Sequence, residues 1–298
     1  MKYILCLLLA LSLIGCVKPS PKSKGRLFLN DDYFIILYDF NNNAVDTIVR
    51  AGPDGLFYHT AFYDTLCYSK IVGWPKTKKA SWCYDLYLLH KNKLDTLIYE
   101  IPAKLTNLKI SPDGKYIAFL YSVYDNNTQA FLKASCAVFD LEKRAYSTIL
   151  EHVLALGGLS WAKDGQSIYM ATFNGSIVRV DLQGKILDTI CTGYAPAISP
   201  DGRTMAFTKD RSIYLVDLTT KKQRRIASKL SFYIPQEPQY IDLTWSPDSK
   251  YILYQGQYIL AYITDWSSQY VYIPIERWGL PKVVANITAR GYGAAWVP

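Results

Sequence analysis

"ISPDGKYIAF", Ile110 to Phe119, is the stretch on which the reading of this chain turns. It reads as the end of one strand, a tight turn and the start of another. Proline presets φ, aspartate bonds back to the backbone, and glycine accepts a positive φ. Close relatives of the phrase return as "LSWAKDGQSIYMA" (159–171), "AISPDGRTMAF" (197–207) and "LTWSPDSKYILY" (243–254).

Each copy follows one plan. A short apolar strand precedes the turn and a second strand follows it. After a variable loop comes a third strand ending in Asp-Leu, as in "CAVFDL", "IVRVDL" and "IYLVDL". A fourth strand follows, as in "YSTIL", "ILDTI" and "QRRIA". The turn aspartates Asp113, Asp164, Asp201 and Asp248 lie 51, 37 and 47 residues apart. A four-stranded unit at that period is the signature of a β-propeller blade. Weaker copies begin at Gly52-Pro53-Asp54-Gly55 and at Arg26, the latter without a first strand. The terminal "GAAWVP" matches the start of the Leu243 copy and has no blade behind it. Pairing it with the first blade would close the ring and leave no open edge. Blades starting near residues 26, 52, 105, 157, 195 and 241 predict an all-β, six-bladed β-propeller of four-stranded antiparallel blades, closed by its C-terminal strand.

The phrase resembles the PD40 repeat of the WD40-like β-propeller family, whose pattern is [AIL]-x-W-S-P-D-G-[KR]-x-[IL]-[AV]-[FY]. That family includes the C-terminal propeller domain of the periplasmic Tol-system protein TolB and the propellers of prolyl oligopeptidase-type enzymes. The resemblance rests on Ser111-Pro112-Asp113-Gly114, Ser199-Pro200-Asp201-Gly202 and Trp245-Ser246-Pro247-Asp248. It is partial at Trp161, Asp164 and Gly165. It implies a fold more than a function.

Composition agrees with a β fold: 25 Tyr, 11 Phe and 7 Trp in 298 residues favour strands. The 33 Lys and Arg against 25 Asp and Glu give +8. That excess is scattered, apart from Lys76, Lys78, Lys79 and a run from Lys221 to Arg225. Scattered charge reads as solvated surface, so no nucleic-acid partner is expected.

The N-terminus is a separate unit. Lys2 precedes an apolar core, Ile4 to Ile14, which is shorter than the ~20 residues a spanning helix needs and reads as a secretory signal. Leu13-Ile14-Gly15-Cys16 resembles a bacterial lipobox. That resemblance implies cleavage before Cys16 and its acylation, giving residues 1–15 as signal peptide, 16–25 as lipidated cysteine and tether, and 26–298 as propeller. An ordinary signal peptide with a chance cysteine is the alternative. The chain is then an exported lipoprotein held at the membrane by lipid alone. Val17-Lys18, lacking the aspartate linked to inner-membrane retention, favours the periplasmic face of the outer membrane. Cys67 and Cys83 fall on consecutive predicted strands and could cross-link in an oxidising compartment. Free buried thiols are the other reading.

No catalytic constellation emerges. His59, His90 and His152 have no partner at ligand spacing, and there is no G-x-S-x-G elbow. One carboxylate per turn is no cage for calcium, so neither cofactor nor metal is expected. Length and aromatic content point instead to the loops opposite the Pro-Asp-Gly turns. Trp74, Trp82, Tyr124, Phe232 and Tyr233 are candidate anchors there, with Tyr258, Tyr262 and Trp266. Lys76, Lys78, Lys79 and Asp125 supply polar contacts. The expected function is a monomeric, non-catalytic binding or scaffold module for an envelope protein or cell-wall component. Its rivals are a pore-centred hydrolase of glycans or lactones and a small-ligand sensor. Cys16→Ser should block acylation and leave the protein uncleaved or released from membranes. Membrane fractionation with mass measurement checks this, and a mature-length variant that still fractionates with membranes would refute the lipobox reading.

Overall fold

The computed structural model describes residues 25–31, 34–42, 44–50, 58–62, 64–71, 84–91, 93–101, 103–125, 130–154, 157–227, 242–256, 268–276, 282–289 and 294–298. All the regular structure among these residues is β. The first blade's own strands are β1 (Arg26–Asp31), β2 (Phe34–Asp39) and β3 (Ala44–Arg50). The second comprises β4 (Tyr58–Phe62), β5 (Thr65–Ile71), β6 (Tyr84–His90) and β7 (Lys93–Ile101). The third comprises β8 (Lys104–Ile110), β9 (Tyr116–Tyr124), β10 (Phe131–Asp140) and β11 (Ala145–Glu151). β12 (Leu159–Trp161), β13 (Ser167–Ala171), β14 (Ser176–Asp181) and β15 (Ile186–Thr192) form the fourth. The fifth has β16 (Tyr194–Ile198), β17 (Thr204–Lys209), β18 (Ser212–Asp217) and β19 (Gln223–Ala227). The sixth has β20 (Thr244–Trp245), β21 (Tyr251–Gly256), β22 (Ser268–Pro274) and β23 (Lys282–Ala289), and β24 (Ala294–Val297) ends the chain.

Six antiparallel four-stranded sheets result, and the strand order β24-β1-β2-β3 completes the first blade. Arg26 pairs with Val297, Leu27 with Trp296, Phe28 with Ala295 and Leu29 with Ala294. The innermost strands β24, β4, β8, β12, β16 and β20 each touch the next, so the blades follow sequence order around an axis. The predicted fold and its closure are both present.

The repeated turn works through its serine as much as through Pro-Asp-Gly. Ser111 Oγ donates to Asp113 Oδ1 at 2.5 Å and accepts from the amides of Lys115 and Tyr116 at 3.1 and 2.9 Å. Ser199 and Ser246 repeat the donation, to Asp201 and Asp248. All three hydroxyls are buried, so leaving these polar groups unpaired would be costly. Gly114 at φ 72° and Gly202 at φ 76° supply the left-handed residue, and Ser249 adopts it at 58°. Leu141 and Leu218, which follow the Asp of the Asp-Leu pair, donate to the carbonyls of Lys115 and Arg203. The two turns at that end of a blade are thereby tied together.

The second blade departs from the sequence reading. Pro53-Asp54-Gly55 lies outside the described residues and ahead of β4, so it cannot join the first two strands. Phe62 and Thr65 pair around a two-residue turn instead, and Asp64 in it accepts from Arg26 at 3.1 Å.

Apolar seams hold neighbouring blades together. Trp161 Nε1 donates to Lys109 O of the third blade at 2.9 Å, and Trp245 Nε1 to Ala197 O of the fifth at 2.8 Å. Trp296 stacks on Phe40 with centroids 5.1 Å apart and lies near Tyr251 and Tyr272 of the sixth blade. Trp296→Ala should cost ~3–5 kcal/mol through the cavity left at this seam. Removing residues 294–298 should cost more, because β1 then loses its ladder partner. Urea denaturation checks both, and a truncated protein melting within a few degrees of the parent would mean the ends do not support each other.

Candidate functional site

Strand direction divides the ring into two faces. Innermost strands run toward the Ser-Pro-Asp-Gly turns, and third strands run toward the Asp-Leu turns, so both turn sets share one face, the turn face. The connections from second to third strand, and from one blade to the next, open on the other, the loop face.

Of the residues expected at the loop rim, Tyr124 and Asp125 are described. Trp74, Lys76, Lys78, Lys79 and Trp82 lie outside the described residues, as do Phe232, Tyr233, Tyr258, Tyr262, Trp266, Cys83 and Cys16. Tyr124 packs edge-on against Phe131 at 5.8 Å, and the Asp125 amide donates to Ala130 O at 2.7 Å. These contacts extend the β9–β10 hairpin at the loop face.

Beside it stand three apolar residues that sequence reasoning did not single out. Phe131 and Leu132 are about half exposed, and Phe173, on the β13–β14 turn of the next blade, is 71% exposed. A shift in pairing register between Phe131 and Lys133 makes Leu132 a bulge, a device that re-aims a side chain. The strap from His152 to Leu154 joins the two sets. Val153 donates to Ala134 O, Leu154 to Ala171 O, and Phe173 donates to His152 O. The arrangement sets three exposed apolar side chains on two adjacent blades joined by a hydrogen-bonded strap.

The axial channel holds the second cluster. Lys109 Nζ lies 3.1 and 3.0 Å from the two Asp242 oxygens. Lys109 is on β8 and Asp242 just precedes β20, three blades apart in a ring of six, so the ion pair crosses the axis. The positions equivalent to Lys109, two ahead of each turn residue, hold Ser160, Ala197, Thr244 and Ala295. One long side chain therefore crosses space left by small ones. Four residues ahead of the same turn residues, Asn107, Gly158 and Ala195 share left-handed backbone at φ 52°, 77° and 51°. A Cβ at Gly158 would lie 2.7 Å from Ala195 Cα, so glycine is required there.

His59 is the residue that sequence reasoning missed at this level, because the innermost strand of the second blade carries no turn phrase to mark it. It is buried, with Nε2 3.1 Å from Phe28 O of the first blade. Like Trp161 and Trp245 it bonds a carbonyl of the preceding blade, although that carbonyl is on the blade's second strand, β1, and not on its innermost. Burial pulls its pKa from 6.5 to about 4, Lys109 adds to that, and the Phe28 bond and Asp242 oppose it. The imidazole is thus neutral and structural. Asp242, the carboxylate at the channel, is paired to Lys109. Among the described residues no three His, Cys, Asp or Glu gather at metal-binding distance.

Cys67 is a free, buried thiol whose ladder partner is Leu88, while Tyr84 pairs with Ile71. Cys83 lies outside the described residues, so the expected Cys67–Cys83 pairing rests on the sequence alone. A cavity of 440 Å³ on the turn face lies between the fourth and fifth blades. Its charges compensate internally: Arg179 bonds Ser167 and Asp164 and lies over the Tyr169 ring.

No protein-family model and no curated protein matches the sequence. Solved structures do match the fold. TolB from Acinetobacter baumannii aligns over 92% of this chain and 82% of its own, at 15% identity and TM-score 0.53. An oligogalacturonate lyase in complex with manganese aligns over 79% and 71%, at 15% identity and TM-score 0.54. A protein of unknown function from Desulfotomaculum acetoxidans aligns over 92% and 99%, at 10% identity and TM-score 0.56. At identities this low the likeness is one of fold alone.

A depressed histidine pKa fixes a sign. The unfolded chain takes up a proton near pH 6.5 and the folded one only near 4, so stability is full above 6.5 and falls as pH drops through that window. The loss should approach about 3 kcal/mol. His59→Gln keeps an N–H for Phe28 O and should lose markedly less between pH 7.5 and 4.5 in urea denaturation. An unchanged pH dependence would show that His59 is not the group responsible.

Proposed function

We propose that this chain is an exported, lipid-anchored propeller that binds an envelope protein or cell-wall component through its loop face, without catalysing a reaction. The observation that carries the reading is the exposed trio Phe131, Leu132 and Phe173 on two adjacent blades, braced by the 152–154 strap. Exposed apolar and aromatic groups on a rigid frame lose little entropy on binding and are common at the energetic centre of interfaces. The lipobox-like Leu13-Ile14-Gly15-Cys16 and the resemblance to the periplasmic TolB propeller support the cellular address.

Catalysis in the channel, the reading that the lyase neighbour brings to mind, finds less support. Asp242 is engaged by Lys109, and His59 is buried against Phe28 O. Neither offers a solute a free acid or base.

The test is paired substitution. Leu132→Ser and Phe173→Ser should each weaken capture of the partner about thirtyfold, equivalent to ~2 kcal/mol, with little change in melting temperature. Partners are first identified by photo-crosslinking in intact cells from a probe at residue 173, with a probe at Tyr146 on the turn face as control. Variants that fold and bind normally would remove the loop patch from the function.

A further inference from the structure

The large apolar side chains exposed among the described residues fall into two groups. Phe131, Leu132 and Phe173 belong to the loop face. The other five are Val45, Leu94, Tyr146, Ile186 and Leu187, exposed by 46–54%. Val45, Leu94, Tyr146 and Ile186 share one structural position in four consecutive blades, pairing with Tyr38, Leu89, Phe139 and Val180, each the next-to-last residue of its third strand. Leu187, next to Ile186, is the extra residue of a bulge. Outermost strands leave the turns that follow the third strands, so these side chains form an arc at the rim of the turn face.

The chain enters the ring at the same face. Gly25 precedes β1 there: its carbonyl accepts from Phe40 in the turn after β2 at 3.3 Å, and a Cβ on it would meet Val297 O at 2.6 Å. Nine residue steps lead from Cys16 to Gly25. Fully extended they span about 30 Å, and as a flexible coil about 17 Å. The β9 strand alone, nine residues from turn face to loop face, measures about 30 Å. A relaxed tether is therefore too short to pass around the body and set the loop face against the anchoring membrane.

We propose that the arc of Val45, Leu94, Tyr146, Ile186 and Leu187 rests on the lipid surface that holds Cys16, turning the loop face outward. The proposal rests on the lipid-anchor part of the function proposed above. Its chemistry is that of interfacial contact: aliphatic groups and a tyrosine reach the headgroup–acyl boundary, and lysines such as Lys93 and Lys185 flank them.

The experiment uses the acylated full-length protein in vesicles of phosphatidylethanolamine and phosphatidylglycerol. A fluorophore is placed at Leu94→Cys, Leu187→Cys, Leu132→Cys or Phe173→Cys, with Cys83 and Cys191 replaced by Ser, and lipids carry a headgroup nitroxide. Reporters at 94 and 187 should be quenched about fivefold more than those at 132 and 173, as expected for groups sunk into the headgroup region. Equal quenching, or stronger quenching at 132 and 173, overturns the proposal. Acylation is read separately from the mass of the mature chain. In a second arm, residues 1–16 are replaced by a His-tag held on a nickel-chelating lipid, which keeps the same exit at Gly25. The same sidedness is expected there even if Cys16 proves unacylated, and its loss overturns the proposal independently of the lipobox reading.

Discussion

The pairing of β24 with β1 is the constraint on which the ring depends. Propeller blades bury their faces only against neighbours, so an unclosed first blade would expose a sheet edge and one side of two seams. Four cross-strand pairs, Arg26↔Val297 through Leu29↔Ala294, prevent this. Trp296 extends the effect beyond the ladder, because its indole lies between Phe40 of the first blade and Tyr251 and Tyr272 of the sixth. Residues about 250 positions apart, Phe40 and Trp296, thus form one hydrophobic seam.

Other seams reach the same end by different chemistry. Tryptophan indoles bridge the third to fourth and fifth to sixth blades, and an imidazole, His59, bridges the first to second. Between the fourth and fifth, small residues let backbones meet: Ala195 N–H donates to Gly157 O at 2.6 Å, and Ile198 N–H to Ser160 Oγ at 2.9 Å. One bond, an N–H from a later blade to an oxygen of the earlier one, recurs on donors that share no obvious sequence pattern.

That diversity explains what the sequence disclosed and what it concealed. The turns were legible because Pro, Asp and Gly are demanded by local backbone geometry, and the "GAAWVP" match to "LTWSP" was enough to foresee closure. The serine was visible but its work was not, since its two amide bonds form only once the hairpin has folded back. The place of His59 at a seam was concealed because β4 turns through two residues rather than the repeated phrase. Leu132 was hidden for a related reason: only a bulge, set by the pairing of β9 with β10, turns it outward. Local rules reveal the frame, whereas side-chain direction depends on register, which is a property of pairs of strands.

The Lys109–Asp242 pair acts as a strut across a diameter. Hydrogen bonds and seams join each blade to its neighbours, but this contact ties opposite halves of the ring directly. Any breathing motion that widens the axis, or slides one half past the other, must first stretch a partly desolvated ion pair, which bulk salt screens less than a surface pair. Its two members reach across the axis from single positions while the neighbours at that level stay small. The resulting stiffness is directional: among the described residues, the diameter between the third and sixth blades is the one that an ion pair spans.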